Sequence, residues 1–217
     1  MSALEGYEVH PISYKDAVEV IVKNHYLHRR GPASDCFGLF DNYGSLVGVI
    51  TYGTPASSHL CKGIAGEDEA THVTELTRLW IADITPKNAE SFLIGRTLKM
   101  LPEHKNIVVS FEEIRAGHVG TVYQATNWLY TGMSDRHVEW RIDGVESKKH
   151  GRHLFDEYGG IEGAKLALGE RLVRAERPRK HRYIFLRGSK SRKKELLAKL
   201  KYKVQAYPSA ERLVANA

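Results

Sequence analysis

Few features of this sequence point to an exported or membrane-bound protein. Its 217 residues include only two cysteines, Cys36 and Cys61, which are too few for a disulfide scaffold and lack the CxxC spacing of zinc and redox motifs. No apolar run approaches the roughly 20 residues that cross a bilayer, and the N-terminus lacks a basic segment followed by an apolar one. We therefore expect a soluble, unexported cytoplasmic protein without a membrane partner, in which both cysteines are packing residues.

The chain also lacks internal repeats and low-complexity linkers that would divide it along its length. Its hydrophobic content of 42% is enough for one well-buried core. We therefore expect a single main domain over residues 1–217.

Positive charge is concentrated near the C-terminus. The formal net charge is +6, but residues 171–203 carry 14 Lys and Arg against two Glu, a local +12, and the rest of the chain carries −6. Tyr183, Phe185 and Tyr202 lie among these cations, a composition that attracts a phosphate backbone and stacks on bases. A solvated charged surface explains many lysine runs, but this concentration favours a polyanion partner.

Periodicity predicts an alternation of strands and helices. The predicted strands have alternating or continuous apolar residues and cover 7–12, 36–40, 46–52, 76–82, 106–110, 128–130, 138–142 and 183–186. The predicted helices cover 14–26, 91–101, a short segment within 117–127, 148–158, and 191–200 with Leu196, Leu197 and Leu200 facing inward. Turn residues at 41–45 indicate a hairpin, and 53–70 is a loop with at most one short helix. This order predicts an α/β domain with a mixed sheet.

The stretch 74–101 runs from a strand through a short polar turn into a helix. The start of such a helix leaves backbone N–H groups without partners and carries the positive end of the helix dipole, which suits the phosphates of a ligand. Lys87 and Asn88 lie in the turn, and Ser91 can cap the helix or donate its hydroxyl. An ordinary strand-to-helix connection explains the same pattern. Arg78 lies within the otherwise apolar strand and needs a partner if it is buried.

His25 and His28 stand three residues apart near the end of the first predicted helix. Two side chains at that spacing share one helical face, so a metal site is one interpretation. No carboxylate or cysteine lies nearby in the sequence, and two surface histidines are the simpler interpretation.

Several motifs together resemble one family. They are NHYLHRR, GVITYGTPAS, VTELTRLWIAD, PKNAESFLIG, VSFEE followed by GHVGTVYQATNW, and KHRYIFLRGSK with LKYKVQAYP. From about residue 24 to 208 the chain resembles the phage DNA-modification Mom family, which is similar in fold to the GNAT acyltransferase superfamily. The resemblance implies a GNAT-like, mostly antiparallel sheet flanked by helices, with a basic C-terminal extension. It also implies an enzyme that converts adenine in double-stranded DNA to an N6-carbamoylmethyl derivative and shields phage DNA from host restriction.

The resemblance also assigns site residues by position. The family's aspartate at the end of a strand falls on a glutamate here, and its other important residues match, which gives His25, Tyr26, Arg78, Ser91, Glu113 and Tyr123. The departure keeps a carboxylate but shifts it by about one methylene, and misplacement of this order can cost ~100-fold in rate. Iron has been proposed for the family, so a metal held by His25 and Glu113 is left open, although no ligand spacing here supports it independently.

The chemistry of adenine constrains the roles of these residues. The exocyclic N6 amine is a poor nucleophile because its lone pair is delocalised into the ring, so the enzyme needs a base, an activated donor and a flipped-out adenine. Glu113 or His25 could take the N6 proton, and Tyr26 or Tyr123 could protonate a leaving group or stack on the base. A phosphate or carboxylate of the donor would lie near Arg78, Lys87, Asn88 and Ser91.

The donor and the rival functions stay open at this point. Acetyl-CoA and an aminoacyl carrier both fit a helix N-terminus, and the turn PKNAES departs from the RxxGxG/A pattern of CoA-binding relatives. A GNAT-type N-acetyltransferase of a small amine or a protein explains the fold but not the local +12 charge, whereas a non-catalytic DNA-binding protein explains the charge without a reaction.

Under the DNA-modification hypothesis the protein acts in the cytoplasm of a phage-infected or lysogenic bacterium. Residues 147–203 are then an arm, followed by a strand and a helix, that contacts double-stranded DNA. The expected phosphate contacts are Arg179, Lys180, Arg182 and Lys190.

Overall fold

The computed structural model describes residues 3–114, 118–145 and 155–209. Its strands are β1 (Glu8–Pro11), β2 (Asp35–Phe40), β3 (Leu46–Gly53), β4 (Val73–Ile81), β5 (Ile107–Glu113), β6 (Leu129–Met133), β7 (His137–Ile142), β8 (Leu172–Arg177) and β9 (Lys180–Leu186). Its helices are α1 (Tyr14–Asn24), α2 (Ser58–Ala65), α3 (Ala89–Met100), α4 (Thr121–Ala125), α5 (Ile161–Leu168) and α6 (Lys190–Lys199). Within this part of the chain, no helix is long and apolar enough to span a bilayer.

Seven of the strands form one sheet in the order β1-β2-β3-β4-β5-β9-β6. The pairs β1–β2, β2–β3 and β3–β4 are antiparallel, and β4–β5 is parallel. The sheet is therefore mixed and mostly antiparallel with flanking helices, as the sequence predicts.

Alternation along the strands divides the core between the two faces of the sheet. In β3, Ile50 packs into a cluster with α3, whereas its neighbour Val49 packs into a second cluster with α1. Cys36 belongs to the second cluster, and Cys61 of α2 belongs to a third cluster with α6. Both cysteines are free and buried, which confirms their interpretation as packing residues.

A single side chain closes the β2–β3 turn. Oδ1 of Asp41 accepts hydrogen bonds from the backbone N–H groups of Tyr43 (2.9 Å) and Ser45 (2.8 Å). Gly44 adopts a φ of +78°, a conformation that glycine reaches at little cost. The predicted hairpin is confirmed.

The chain divides into two compact units, Met1–Gly132 with His181–Ala217, and Met133–Lys180. The first unit contains the large sheet. The second contains α5 and an antiparallel pair, β7–β8, with a small core in which Trp140 and Ile142 pack with Ala164 and Leu168. The expected arm over residues 147–203 therefore includes parts of both units.

Two helix predictions differ from the structure, and a third falls mostly outside the described residues. The α1 helix ends at Asn24, the capping residue His25 is extended and His28 has a φ of +45°, so the two histidines do not share a helical face. In α6, Leu196 is fully buried but Leu197 is 48% exposed, so the prediction for Leu197 is wrong. Most of the predicted helix 148–158 lies outside the described residues, and Asp156–Tyr158 forms a short 3-10 helix.

Part of the C-terminal positive charge is used inside the first unit. The Arg187 guanidinium donates to four carbonyl oxygens at and beyond the C-terminal end of α3, at 2.5 to 2.9 Å, where helix carbonyls lack intrahelical partners. The Arg182 side chain is almost fully buried, donates to Thr131 and lies over the ring of Tyr202. These two cations stabilise the fold.

A buried carboxylate holds α6 in place. Glu69 accepts hydrogen bonds from Arg192 (3.1 Å to Oε1) and Lys199 (2.6 Å) although its own side chain is only 5% exposed. The Arg192 bond, reinforced by Lys199 and opposed by burial, lowers the pKa of Glu69 to about 2. Two more of the C-terminal cations are thus paired within the fold.

Glu69→Gln is expected to lower the free energy of unfolding by about 2 kcal/mol, because it removes charge-assisted hydrogen bonds at a buried carboxylate. The native pKa lies below the usual 4.5, so this stabilisation is present above pH 4.5 and is lost as the pH falls through about 2. Urea titrations at neutral and acidic pH measure both effects. Glu67→Gln is the control, since Glu67 is 76% exposed beside Lys62. An equal loss of unfolding free energy in the two variants would contradict the stabilising role of the buried Glu69 carboxylate.

Candidate active site

Strands β4 and β5 separate part-way along the sheet. Their parallel ladder ends at the pair Glu75–Val109, whereas both strands continue beyond it. At the point of separation the Ser110 hydroxyl lies 3.1 Å from the carbonyl oxygen of Leu76, where a ladder bond would otherwise continue. The two strands therefore leave a gap that a ligand can enter.

A β-bulge at Thr77 sets the direction of Arg78 beside this gap. In the β3–β4 register Thr51 faces Arg78 and Tyr52 faces Leu76, so Thr77 has no cross-strand partner. Bulges of this kind re-aim the side chains that follow them. The Thr77 hydroxyl lies within hydrogen-bond distance of the Pro32 carbonyl (2.9 Å) and the Thr51 hydroxyl (2.8 Å).

The Arg78 guanidinium is bonded to backbone carbonyls. It donates to the carbonyl oxygens of Arg29 (3.2 Å), Arg30 (3.4 Å) and Thr77 (2.5 Å). These carbonyl oxygens are the hydrogen-bond partners that a cation within an apolar strand requires. Three of the five guanidinium N–H groups are thus engaged with backbone carbonyls, two of them in the chain that follows α1, and pairing of Arg78 with a donor phosphate or carboxylate stays a prediction.

That chain, residues 25–33, packs directly on the sheet. A Cβ atom at Gly53 would lie 2.5 Å from the carbonyl carbon and oxygen of Pro32, so only glycine permits this approach. The N–H of Ser34 donates to the carbonyl oxygen of Tyr52 at 2.7 Å. These contacts and those of Arg78 place His25 and Tyr26 beside the gap.

His25 and Tyr26 form a stacked pair. Their ring centroids lie 4.4 Å apart with an angle of 27° between the planes, and His25 is buried whereas Tyr26 is 67% exposed. Burial, with smaller effects of Arg78 and His28 and against the effect of Glu113, lowers the pKa of His25 to about 4, so the imidazole is neutral at neutral pH. Its Nδ1 accepts a hydrogen bond from the Leu27 N–H (3.1 Å), so Nε2 carries the proton.

The carboxylates at the end of β5 act on this pair. Partial burial of its hydroxyl and the charges of Glu113 and Glu112 raise the pKa of Tyr26, so its phenol is protonated at neutral pH. The Glu113 charge also acts on His25 and Arg78, whereas Glu112 acts on Tyr123. Glu112 therefore acts on both Tyr26 and Tyr123, and the charge of Glu113 reaches Tyr26, His25 and Arg78.

Tyr123 lies in the core and not at the surface of the site. Its ring is 5% exposed, stacks on Tyr183 at 5.0 Å and meets Trp128 edge-on at 5.1 Å, and its hydroxyl bonds with Ser110 at 2.8 Å. Burial, together with Glu112, raises its pKa. This placement corrects the expectation that Tyr123 stacks on or protonates a substrate, because the residue packs beneath the point where β4 and β5 separate.

The start of α3 follows the end of β4 at which the strands part. Asn88 caps the helix in the left-handed conformation and makes no side-chain capping bond, and the Ser91 hydroxyl donates to the Asn88 carbonyl (3.0 Å). Lys87 and Asn88 are exposed. The first backbone N–H groups of α3 therefore lack a side-chain cap from Asn88 and fit a phosphate or carboxylate, although Glu90 in the same turn opposes an anion.

The metal hypothesis does not fit the site. Across residues 3–114, 118–145 and 155–209, no three His, Cys, Asp or Glu side chains form a group that could hold a metal ion. Nδ1 of His25 is already used by the Leu27 N–H, so only Nε2 remains for another partner. His25 and Glu113 alone do not make a metal centre.

The four expected phosphate contacts have different surroundings. Lys190 begins α6 and is exposed. Arg179 donates through Nε to the Ser134 carbonyl (2.6 Å), and the Lys180 N–H donates to the Ser134 hydroxyl (3.0 Å). Arg182 is buried against Thr131 and Tyr202, so its expected role in binding phosphate is wrong.

Sequence reasoning missed three residues of the site, Glu75, Thr77 and Glu112. The charge of Glu75 acts on Arg78 and Tyr123, and Thr77 forms the bulge. Glu112 precedes Glu113 at the end of β5, and its charge acts on Tyr26 and Tyr123. The bulge has no signal in the sequence, because it depends on the register with β3.

Comparison with solved structures shows a known fold. Arabidopsis thaliana NAA60 in complex with acetyl-CoA is 9% identical, with 83% of this chain and 99% of that chain covered and a TM-score of 0.50. A GNAT-family acetyltransferase from Streptococcus pneumoniae is 9% identical, with 84% and 99% covered and a TM-score of 0.46. The likeness to NAA60 shows the fold of the GNAT acetyltransferases.

Comparison of sequences is more specific. The methylcarbamoylase Mom of Escherichia phage Mu is 30% identical over 190 residues, which cover 86% of this chain and 73% of that protein. The profile of the Mom protein family matches residues 6–209. The chain therefore belongs to the Mom protein family.

Proposed function

We propose that this protein modifies the exocyclic N6 amine of adenine in double-stranded DNA, adding a carbamoylmethyl-type group that protects phage DNA from host restriction in the bacterial cytoplasm. Its family membership and its similarity to the phage Mu methylcarbamoylase support the reaction class. The observation that carries the proposal is the position of Glu113. Its carboxylate lies at the end of β5, where its charge acts on the stacked pair His25 and Tyr26.

Glu113 is the base in this proposal. The N6 lone pair forms the new bond to the donor carbon while Glu113 takes the N6 proton. His25 is unsuited to that role, because Nδ1 is occupied and Nε2 already carries a proton. His25 acts instead as a neutral hydrogen-bond donor and as the support on which Tyr26 stacks.

Tyr26 has two roles. Its protonated phenol supplies the proton to the leaving group of the donor, which balances the proton that Glu113 removes. Its ring is backed by His25 on one side and is 67% exposed, so a flipped-out adenine can stack on the exposed surface. Tyr123 and Ser110 support the site from beneath it.

The donor would bind at the start of α3. The backbone N–H groups of the first turn, with Lys87, Asn88 and Ser91, would hold a phosphate or carboxylate of acetyl-CoA or an aminoacyl carrier. Attack of N6 on the activated carbonyl carbon of either carrier would release the thiol or hydroxyl of the carrier and give an N6-acyl adenine. A carbamoylmethyl product instead needs a donor whose leaving group is on the methylene carbon that N6 attacks. Arg78 contributes by holding residues 25–33 in position.

DNA would bind through the cations that the fold leaves exposed. Arg182, Arg187, Arg192 and Lys199 are engaged within the first unit. On α6 the exposed lysines include Lys190 and Lys194, and they are suited to bind backbone phosphates.

Glu113→Gln and Tyr26→Phe are expected to reduce modification by roughly 100-fold or more, because each removes one proton-transfer group while keeping the shape of the side chain. Mass spectrometry of nucleosides from DNA of expressing cells measures the modified adenosine. DNA affinity and melting temperature should stay close to those of the parent protein.

Glu113→Asp restores the side chain that the family resemblance places here, and it should retain activity. Tyr26→Ala also removes the ring on which the adenine would stack. It should therefore reduce base flipping, measured with 2-aminopurine in place of the adenine, whereas Tyr26→Phe should not. Full activity of Glu113→Gln would refute the base assignment. Absence of any new adenosine species with the parent protein would refute the DNA-modification proposal and leave an acetyltransferase or a DNA-binding protein.

Replacing Lys190 and Lys194 together by Ala should lower the salt dependence of DNA binding by about two in the slope of log K against log salt, because two phosphate contacts are lost. Binding titrations at several salt concentrations measure the slope. Replacing Lys15 and Lys99, exposed on α1 and α3, is the matched control for charge. Arg182→Ala should lower thermal stability and leave the slope unchanged. A slope that the Lys190 and Lys194 change does not alter would exclude this face of α6 from the interface.

A further inference from the structure

The second compact unit presents a two-stranded ribbon. β7 and β8 pair antiparallel from His137–Arg177 at one end to Ile142–Leu172 at the other. The chain enters and leaves the unit at Ser134 and Lys180, which exchange two bonds at 2.7 and 3.0 Å. The two chain segments at which the second unit begins and ends are therefore hydrogen-bonded to each other.

The two faces of the ribbon have different surroundings. On one face Trp140, Ile142 and Leu172 pack with Ala164 of α5 in the core of the unit. Alternation places the pairs His137–Arg177, Glu139–Ala175 and Arg141–Val173 on the opposite face. On this opposite face His137 and Val173 are exposed, and the other four residues are half-buried. We call this second surface the open face.

Arg141 has a defined orientation on the open face. Its Nε and Nη2 donate to Oε1 of Glu139, at 3.1 and 2.9 Å, while its side chain is 42% exposed. These two bonds fix the plane of the guanidinium. An arginine fixed in this way has less conformational freedom to lose on binding a planar acceptor pair.

The open face matches the major groove of DNA in shape and charge. The major groove admits a two-stranded β-ribbon, and guanine presents two acceptors there that an arginine can bind together. Residues on one face of a strand recur every ~6.7 Å, which is close to two base-pair steps of ~3.4 Å. Arg177 can complement a backbone phosphate, Glu139 can accept from cytosine N4, and Ala175 and Val173 are small enough for close approach.

We propose that the open face of the β7–β8 ribbon enters the major groove and reads base edges, with Arg141 as the main sequence-reading residue. This inference rests on the proposed function, because it assumes that double-stranded DNA is the substrate. The ribbon would then recognise the DNA sequence, whereas the phosphate contacts of α6 hold the DNA without distinguishing one sequence from another.

The test is selection of bound duplexes from a random-sequence pool, followed by sequencing. The full-length protein is expected to enrich a motif. Arg141→Ala should reduce the preference at one or two adjacent positions by about tenfold, the scale of a lost bidentate base contact. Arg141→Lys keeps the charge but not the planar fork, and should lose the same preference while keeping the salt slope. Lys165→Ala, which removes an exposed charge from α5 in the same unit, is the control and should keep the motif.

The outcomes separate the two proposals. A motif that is unchanged in both Arg141 variants overturns the role of the ribbon, and so does a parent protein that enriches no motif. If Arg141→Ala fails to fold by its melting curve, Arg141→Lys and Arg177→Ala decide the question in the same assay. Nucleoside mass spectrometry is run in parallel, and a parent protein that selects a motif but makes no modified adenosine would refute the proposed reaction while supporting the ribbon.

Discussion

The separation of β4 from β5 is the constraint on which the site depends. The parallel ladder stops at Glu75–Val109, and the Ser110 hydroxyl then lies beside the Leu76 carbonyl where the ladder would have continued. Backbone groups that a ladder would have paired become available beside the gap. The bulge at Thr77 and the carbonyl contacts of Arg78 then hold residues 25–33 against the edge of this opening.

Beside that opening, hydrogen bonding divides the chemical roles. Neutral His25 is a donor at Nε2 because the Leu27 N–H occupies Nδ1, and the nearby carboxylates keep Tyr26 protonated. In the proposed reaction these environments favour Tyr26 as the acid and Glu113 as the base, although the residue types alone leave both assignments open.

The C-terminal charge illustrates the limit of composition as an argument. The +12 over residues 171–203 favours a polyanion partner. Four of those cations are engaged inside the first unit, Arg187 with the carbonyls of α3, Arg182 with Thr131, and Arg192 and Lys199 with Glu69. A buried cation bonded to carbonyls or a carboxylate has little left for a phosphate. The charge count therefore overstates the exposed positive surface, which includes lysines of α6 and Lys201 and Lys203 after it.

The sequence by itself determined most strands and helices of the first unit, the β2–β3 hairpin at Asp41 to Ser45 and membership of the Mom family, because apolar periodicity, turn chemistry and motifs are local properties of the chain. It did not predict β8 or α5 of the second unit. The tertiary structure decided that His25 and His28 do not share a face, that Tyr123 and Arg182 are internal, that Arg78 bonds to residues 29 and 30, and that β7–β8 form a ribbon in a unit of their own. Each of these depends on contacts between residues far apart in the chain or on the exact end of an element. Burial and strand register set the free energies of these contacts, and a local sequence pattern does not contain that information.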